Sequence, residues 1–191
     1  TKQFEIASLR PADQLTFNFS KNNAGVGGVT VKATYADGSS EEVIKRSTSS
    51  NPSYSFGRKI VTKLEFYADG STSPTLKKEI SSVKLTQSTY ADAPKHNLWE
   101  PTAVIGSADA VAETTLDWSN VAPFTLTLSG NGASRFTCAI TNNSSVGNYG
   151  TATITATYKH NVAGVDSATL TLTNGTTTYE IALVGTTTKK N

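Results

Sequence analysis

Thr151-Ala-Thr-Ile-Thr-Ala-Thr-Tyr158 alternates threonine with a small or apolar residue at every step. A strand sends successive side chains to opposite faces, so this order puts Ala152, Ile154, Ala156 and Tyr158 on one face and the threonines on the other. β-Branched threonine loses side-chain freedom in a helix and packs well on a pleated surface. The stretch is therefore predicted to be a half-buried antiparallel strand. Thr169-Leu-Thr-Leu-Thr173 repeats the pattern. Working outward, the same period of two recurs in Gln14–Ser20 (Leu15, Phe17 and Phe19 inward), Val29–Tyr35, Ile60–Tyr67 (Leu64, Phe66) and Ile80–Thr86 (Val83, Leu85). The fold class that follows is all-β.

A chain of 191 residues can build one large β domain or two of about 100 residues each. Its composition favours two. Residues 1–95 carry 13 Lys/Arg against 9 Asp/Glu, a net of +4, whereas residues 96–191 carry 4 against 6, a net of −2. Of the 30 threonines, 20 lie in the second half, so the two halves have different surfaces. Tyr90-Ala-Asp-Ala-Pro-Lys95 has no apolar period and contains a proline, which places a linker at 92–99 between domains 1–91 and 100–191. On this reading Trp99 wedges between the domains and Lys95 is an easy proteolytic target.

In the first half, strands are also expected at Phe4–Leu9, Glu41–Lys45 and Tyr54–Lys59, with a tight turn at Ala36-Asp-Gly-Ser39 and loops at Asn22–Gly28 and Asp69–Pro74. In the second, Thr114–Ser119, Phe124–Leu128, Phe136–Ile140, Thr151–Tyr158, Ala168–Thr173 and Tyr179–Val184 are six strands, and Val104–Ile105 adds a short seventh. Asn174-Gly175 between two alternating runs marks a hairpin. Seven short strands spaced by such turns indicate an immunoglobulin-like sandwich with Trp118 as its core aromatic. The lone Cys138 shares a strand face with Phe136 and Ile140 and reads as a small core residue, which leaves packing to stabilise the fold without an intrachain disulfide.

Gly150–Tyr158, Ser167-Ala-Thr-Leu-Thr-Leu-Thr-Asn-Gly175 and Tyr179-Glu-Ile-Ala-Leu-Val-Gly185, preceded by Leu116–Asn120 and Phe124–Gly130, resemble immunoglobulin-like modules of the ASPM/SPD-2/Hydin type found in secreted and surface proteins of Bacteroidetes. Ala156, Tyr158 and Cys138 depart from that pattern. The first half, through Leu15-Thr-Phe17, Val29-Thr-Val31 with Asp37-Gly38, and Ile60–Phe66, is more loosely similar to jelly-roll or carbohydrate-binding-like sandwiches of the same proteins. The resemblance implies two β-sandwich domains in tandem, N-terminal jelly-roll-like and C-terminal immunoglobulin-like. It implies a module that is secreted or on the bacterial cell surface and shares no catalytic motif.

Motifs for catalysis are missing. His96 lies in the expected linker and His160 at a turn, both read as surface histidines outside any cluster at metal-ligand spacing. No Gly-x-Ser-x-Gly, His-Glu-x-x-His or phosphate-loop motif occurs, and Gly25–Gly28 joins two strands. Glu41 and Glu42 are adjacent, so they point to opposite faces and do not form a glycosidase pair. Asp37 and Asp69 each precede glycine in a turn. The chain is accordingly read as no enzyme, with no cofactor. Its basic residues form no clustered stripe for nucleic acid, and no apolar run is long enough for a membrane-spanning helix. Without methionine and starting at Thr1, it reads as a mature form or an excised piece of a longer protein, monomeric as a fragment.

What remains is binding. Sugars present C–H faces to flat rings, and Tyr35, Tyr54 and Tyr67 are the candidate stacking residues of the first domain. Tyr67 follows inward Phe66 and so points outward, which makes it the first choice. Asp166-Ser167-Ala168 matches the short O-glycosylation pattern of Bacteroidetes surface proteins, with Ser167 as acceptor. The expected function is a non-catalytic spacer that binds a glycan or a cell-surface protein. The alternatives are an adhesin or assembly segment whose strands pair at their edges, and an accessory region of a larger secreted enzyme.

Overall fold

The structure, a computed structural model, describes residues 2–4, 10–22, 27–68, 78–144 and 147–191. It is all-β, and its packing divides the chain into two units, Thr1–Ser88 and Thr89–Asn191.

The first unit contains strands β1 (Lys2–Phe4), β2 (Ala12–Asn22), β3 (Val29–Tyr35), β4 (Ser40–Ser47), β5 (Ser53–Lys59), β6 (Val61–Ala68) and β7 (Lys78–Gln87). They form one sheet in the order β1-β6-β3-β4 and another in the order β5-β2-β7. β3 is buried at every second residue, so Val29, Val31, Ala33 and Tyr35 face inward and Thr30, Lys32 and Thr34 face out. Leu64 and Phe66 of β6 sit opposite Ala33 and Val31 on the same face. Leu15 and Phe17 of β2 meet them from the second sheet, with the Phe17 and Phe66 rings edge to face at 5.2 Å. Burying each such side chain contributes about 1.5–3 kcal/mol. The β3–β4 turn works as its sequence predicts: the Asp37 carboxylate accepts the Ser39 N–H at 2.9 Å, and Gly38 takes φ +85°. Of the expected strand Phe4–Leu9 only the end in β1 is described. Residues 5–9, residues 23–26 of the first glycine-rich loop and the Asp69 turn lie outside the described residues.

The second unit contains β8 (Tyr90–Ala91), β9 (Leu98–Trp99), β10 (Thr102–Val104), β11 (Ala110–Ser119), β12 (Thr125–Ser129), β13 (Phe136–Asn142), β14 (Tyr149–Tyr158), β15 (Gly164–Thr173) and β16 (Thr178–Thr188). Its sheets run β13-β14-β11-β8 and β10-β16-β15-β12, with β9 also on β16. The start of this unit is divided between the two sheets, β8 lying on β11 and β9 and β10 on β16. Trp118, Phe124, Leu116, Leu170 and Leu172 are buried in its core. Cys138 is half-buried against that core, and burial pushes its thiol above the usual range.

The segment 92–99, expected as a free linker, is built into this unit. The Asp92 N–H donates to the Asp117 carbonyl at 2.9 Å and the Lys95 N–H to the Thr115 carbonyl at 3.0 Å. β9 then pairs in parallel with Ala182 and Leu183. Trp99 packs on Phe136 within the second unit, ring centroids 6.4 Å apart. Lys95, held by that backbone bond, is not the free cleavage point its sequence context implies.

One contact between the two sheets of this sandwich explains a glycine. Tyr158 is fully buried, and a Cβ on Gly185 would stand 2.3 Å from its ring. The phenol donates to Asp166 Oδ2 at 2.7 Å and shares a hydrogen bond with Thr187 Oγ1 at 2.8 Å. Gly185→Ala therefore overpacks the core and should cost about 1–3 kcal/mol, a fall of roughly 5–15 °C in Tm for a unit of this size. If the units fold independently, as we propose, calorimetry on the whole chain resolves two transitions and Gly185→Ala lowers one of them. A single transition that moves as a whole would reject the independence.

Candidate functional site

The outward face of the β1-β6-β3-β4 sheet carries the candidate site. Alternation along β6 puts Lys63, Glu65 and Tyr67 on one side, with Tyr67 exposed, Lys63 part-exposed and Glu65 buried. Pairing with β3 sets Thr30 beside Tyr67, Lys32 beside Glu65 and Thr34 beside Lys63, and β4 adds Glu42 beside Lys32. Tyr67 is 36% exposed and its phenol donates to Glu65 Oε2 at 2.8 Å, so the ring leans along the strand over its second neighbour. Lys63 Nζ lies 3.3 Å from the other carboxylate oxygen. The Tyr67 hydrogen bond holds the Glu65 carboxyl below its ordinary range, helped by Lys63 and Lys32 and opposed by partial burial. The same bond, with partial burial and the charges of Glu65 and Glu42, raises the Tyr67 phenol. The face thus combines one flat ring with acceptors and donors within a few ångströms.

The other two candidate tyrosines go elsewhere. Tyr35 is buried, edge to face with Phe56 at 6.2 Å. Its phenol donates to Glu41 Oε1, and Lys59 Nζ lies 4.7 Å from its ring centroid and 3.2 Å from Glu41. Burial and this carboxylate push the phenol far above its usual range. Tyr54 packs on Phe56 at 5.1 Å against the same core. Tyr35 is buried and Tyr54 part-buried, on β3 and β5, while Tyr67 lies exposed on β6, so the three tyrosines do not form one platform. Glu41 and Glu42 face opposite ways, as their adjacency requires. Lys32, Lys63 and Glu65 were the residues missed by looking for aromatics alone. Their signal was the period of two that Lys63-x-Glu65-x-Tyr67 shares.

In the second unit, His160 is buried, contrary to its reading as a surface histidine. Ser107 Oγ stands 3.2 Å from Nε2 and Asp109 Oδ1 3.7 Å from Nδ1, the contact order of a Ser-His-Asp relay. The protons do not fit that role. Nε2 lies 2.6 Å from the Ser107 carbonyl, which only accepts, so Nε2–H is the donor there. The Ser107 hydroxyl itself donates to the Val104 carbonyl at 2.7 Å. His160 staples the β10–β11 turn to the end of β14. His96 is exposed near Thr114. Ser167 is exposed on the outer face of β15, with Asp166 turned inward to Tyr158, so its hydroxyl is accessible within a strand. Among the described residues, no group of three or more His, Cys, Asp or Glu side chains is placed to hold a metal ion, and no helix is long and apolar enough to cross a membrane.

No family model and no curated protein matches the chain. Among solved structures it is similar to an endo-fucoidan hydrolase from glycoside hydrolase family 107, at 11% identity and a TM-score of 0.32. That alignment covers 85% of this chain and 24% of the other, and at such a score it carries no argument about chemistry.

Asp37, Glu41 and Glu65 all titrate below their ordinary range in the first unit. A depressed carboxyl contributes stability above its unfolded pKa, about 4.3 for Glu, and loses it as pH falls through the folded value. The first unit should therefore melt lower at about pH 3 than at neutrality, and Glu41→Gln with Glu65→Gln should flatten that dependence. Thermal melts across this range check it, and an unchanged slope in the double variant would refute the assignment.

Proposed function

We propose that the chain is a non-catalytic segment of a secreted or cell-surface bacterial protein, in which the first unit binds a glycan and the second serves as an immunoglobulin-like spacer. The observation that carries this reading is the Tyr67 face. A sugar ring stacked on Tyr67 would place hydroxyls against Lys32 or Lys63, which donate, while the buried Glu65 carboxylate holds Tyr67 and Lys63 in place. The resemblance of both halves to surface modules of Bacteroidetes supports the location, and a glycosylated Ser167 on the outer face of β15 would suit an extracellular spacer.

A glycan array probed with the whole chain tests the reading. Selective binding is expected, reduced at least about tenfold in Tyr67→Ala, the loss of roughly 1.4 kcal/mol. Tyr67→Phe separates the two parts of the site, since it keeps the ring and frees Glu65, and should retain part of the affinity. A blank array, or binding indifferent to Tyr67→Ala, would reject the first unit as a glycan binder.

A further inference from the structure

The immunoglobulin-like unit has one strand edge that its own chain covers only in part. β11 is paired with β14 along its whole length, Ala110 opposite Tyr158 through Ser119 opposite Tyr149. On its other edge β8 reaches only Trp118 and Ser119. The chain then continues alongside, bonding Asp92 to Asp117 and Lys95 to Thr115, and leaves for the opposite sheet to become β9. Backbone groups alternate in direction along an antiparallel strand. Asp117 and Thr115 bond away from β14, so Glu113 and Val111 also direct their N–H and C=O groups to that edge. Beyond Lys95 the His96 N–H reaches the Thr114 hydroxyl at 3.2 Å, and among the described residues nothing pairs with the Val111 and Glu113 main-chain groups.

Beside this open edge the two sheets part. A cavity of about 230 Å³ opens between them, walled by Leu98, Trp99, Ala112, Ile154, Leu170 and Leu183. Ile154, Leu170 and Leu183 are otherwise core residues, and Val111 at the rim is 65% exposed. The volume lies below the roughly 300–1,000 Å³ of sites for drug-sized ligands, so it suits one or two side chains better than a free small molecule.

We infer that β11 accepts a strand from another protein, which completes the β13-β14-β11-β8 sheet and fills this cavity. The geometry specifies that strand closely. It continues the antiparallel path that β8 to His96 begin, so it runs opposite Ala110–Glu113. Its residues opposite Ala110 and Ala112 point inward and should be apolar. The residue opposite Glu113 points outward, where a lysine or arginine would pair with that exposed carboxylate. Two of its residues, those opposite Val111 and Glu113, exchange main-chain hydrogen bonds, the mode of β-strand addition. The inference concerns the second unit alone and does not rest on Tyr67, so it makes that unit a docking module whether or not the first unit binds glycan.

The probe is the blocked peptide acetyl-Lys-Leu-Thr-Val-amide, added to the whole chain and followed by amide NMR and hydrogen exchange. Weak binding is expected, with Kd on the order of 1 mM for so short and flexible a ligand. The Val111 and Glu113 amides should gain protection. N-methylation of the peptide lysine removes a donor aimed at β11 and should weaken binding about tenfold, whereas N-methylation of the leucine after it, whose N–H points away, should change it little. Val111→Pro deletes an N–H that faces the open edge and leaves the β11–β14 ladder intact, so the protein should fold, by circular dichroism, and lose the peptide. Absence of binding, or binding that survives Val111→Pro without protection of Val111 and Glu113, overturns the inference. If those amides are protected without peptide and sedimentation reports a dimer, the edge pairs with a second copy and a foreign strand is ruled out.

Discussion

A β-strand must satisfy two faces and two edges, and the chain meets these demands by different means. Faces are settled locally, because alternation of apolar and polar residues sends one set to the core and leaves the other wet. Edges are settled only by another segment of backbone, distant in sequence. β14 is the fully satisfied case, with Ile154 and Tyr158 buried, threonines outward, and β11 and β13 along its two sides. β11 has the same quality of face and half an edge.

This division explains which features were legible in the sequence. The longer described strands, the core residues Phe17, Leu64, Trp118 and Leu170, and the turns at Asp37-Gly38 and Asn174-Gly175 all rest on local pattern, and they stand where the pattern puts them. Tyr67 could be turned outward from its neighbour Phe66 for the same reason. The segment Tyr90–Trp99 was illegible because β8 and β9 are two residues each, too short to express a period of two. Their place is fixed by bonds to Asp117, Thr115 and Ala182. His160 was illegible because its burial depends on Ser107 and Asp109, some fifty positions earlier. Tyr35 alternates correctly toward the core, yet only its contacts with Phe56, Glu41 and Lys59 show that none of its ring is left for a ligand.

The outward faces of the two units differ in chemistry. On β3 and β6 the outer row alternates in sign, with Glu42, Lys32 and Glu65 side by side and Lys63 next to them. Such rows weaken with salt and with protonation, since they rest on charge pairs near water. On β14 and β15 the outer residues are threonines at successive outward positions. A threonine face gives strand propensity and hydration without charge, and it is insensitive to pH. The composition shift between the halves, lysine-rich then threonine-rich, is the imprint of these two solutions on the sequence.

The divided first strand of the second unit links its stability to its open edge. By leaving β11 after Lys95, the chain gains parallel pairing of β9 and β10 with β16 and closes the edge of the opposite sheet. It also carries Trp99 onto Phe136 and the Pro101 carbonyl to the Thr186 N–H, contacts that a strand kept on β11 would forgo. The same departure exposes Val111 and uncovers the cavity at Ala112. An exposed edge beside an apolar cavity is a liability unless something protects it, because unpaired strand edges template unwanted pairing. Glu113 gives partial protection, since its charge repels a second β11 laid with Glu113 opposite Glu113. A partner bearing a cation at that point meets no such penalty, so the carboxylate that guards the edge also selects what can occupy it.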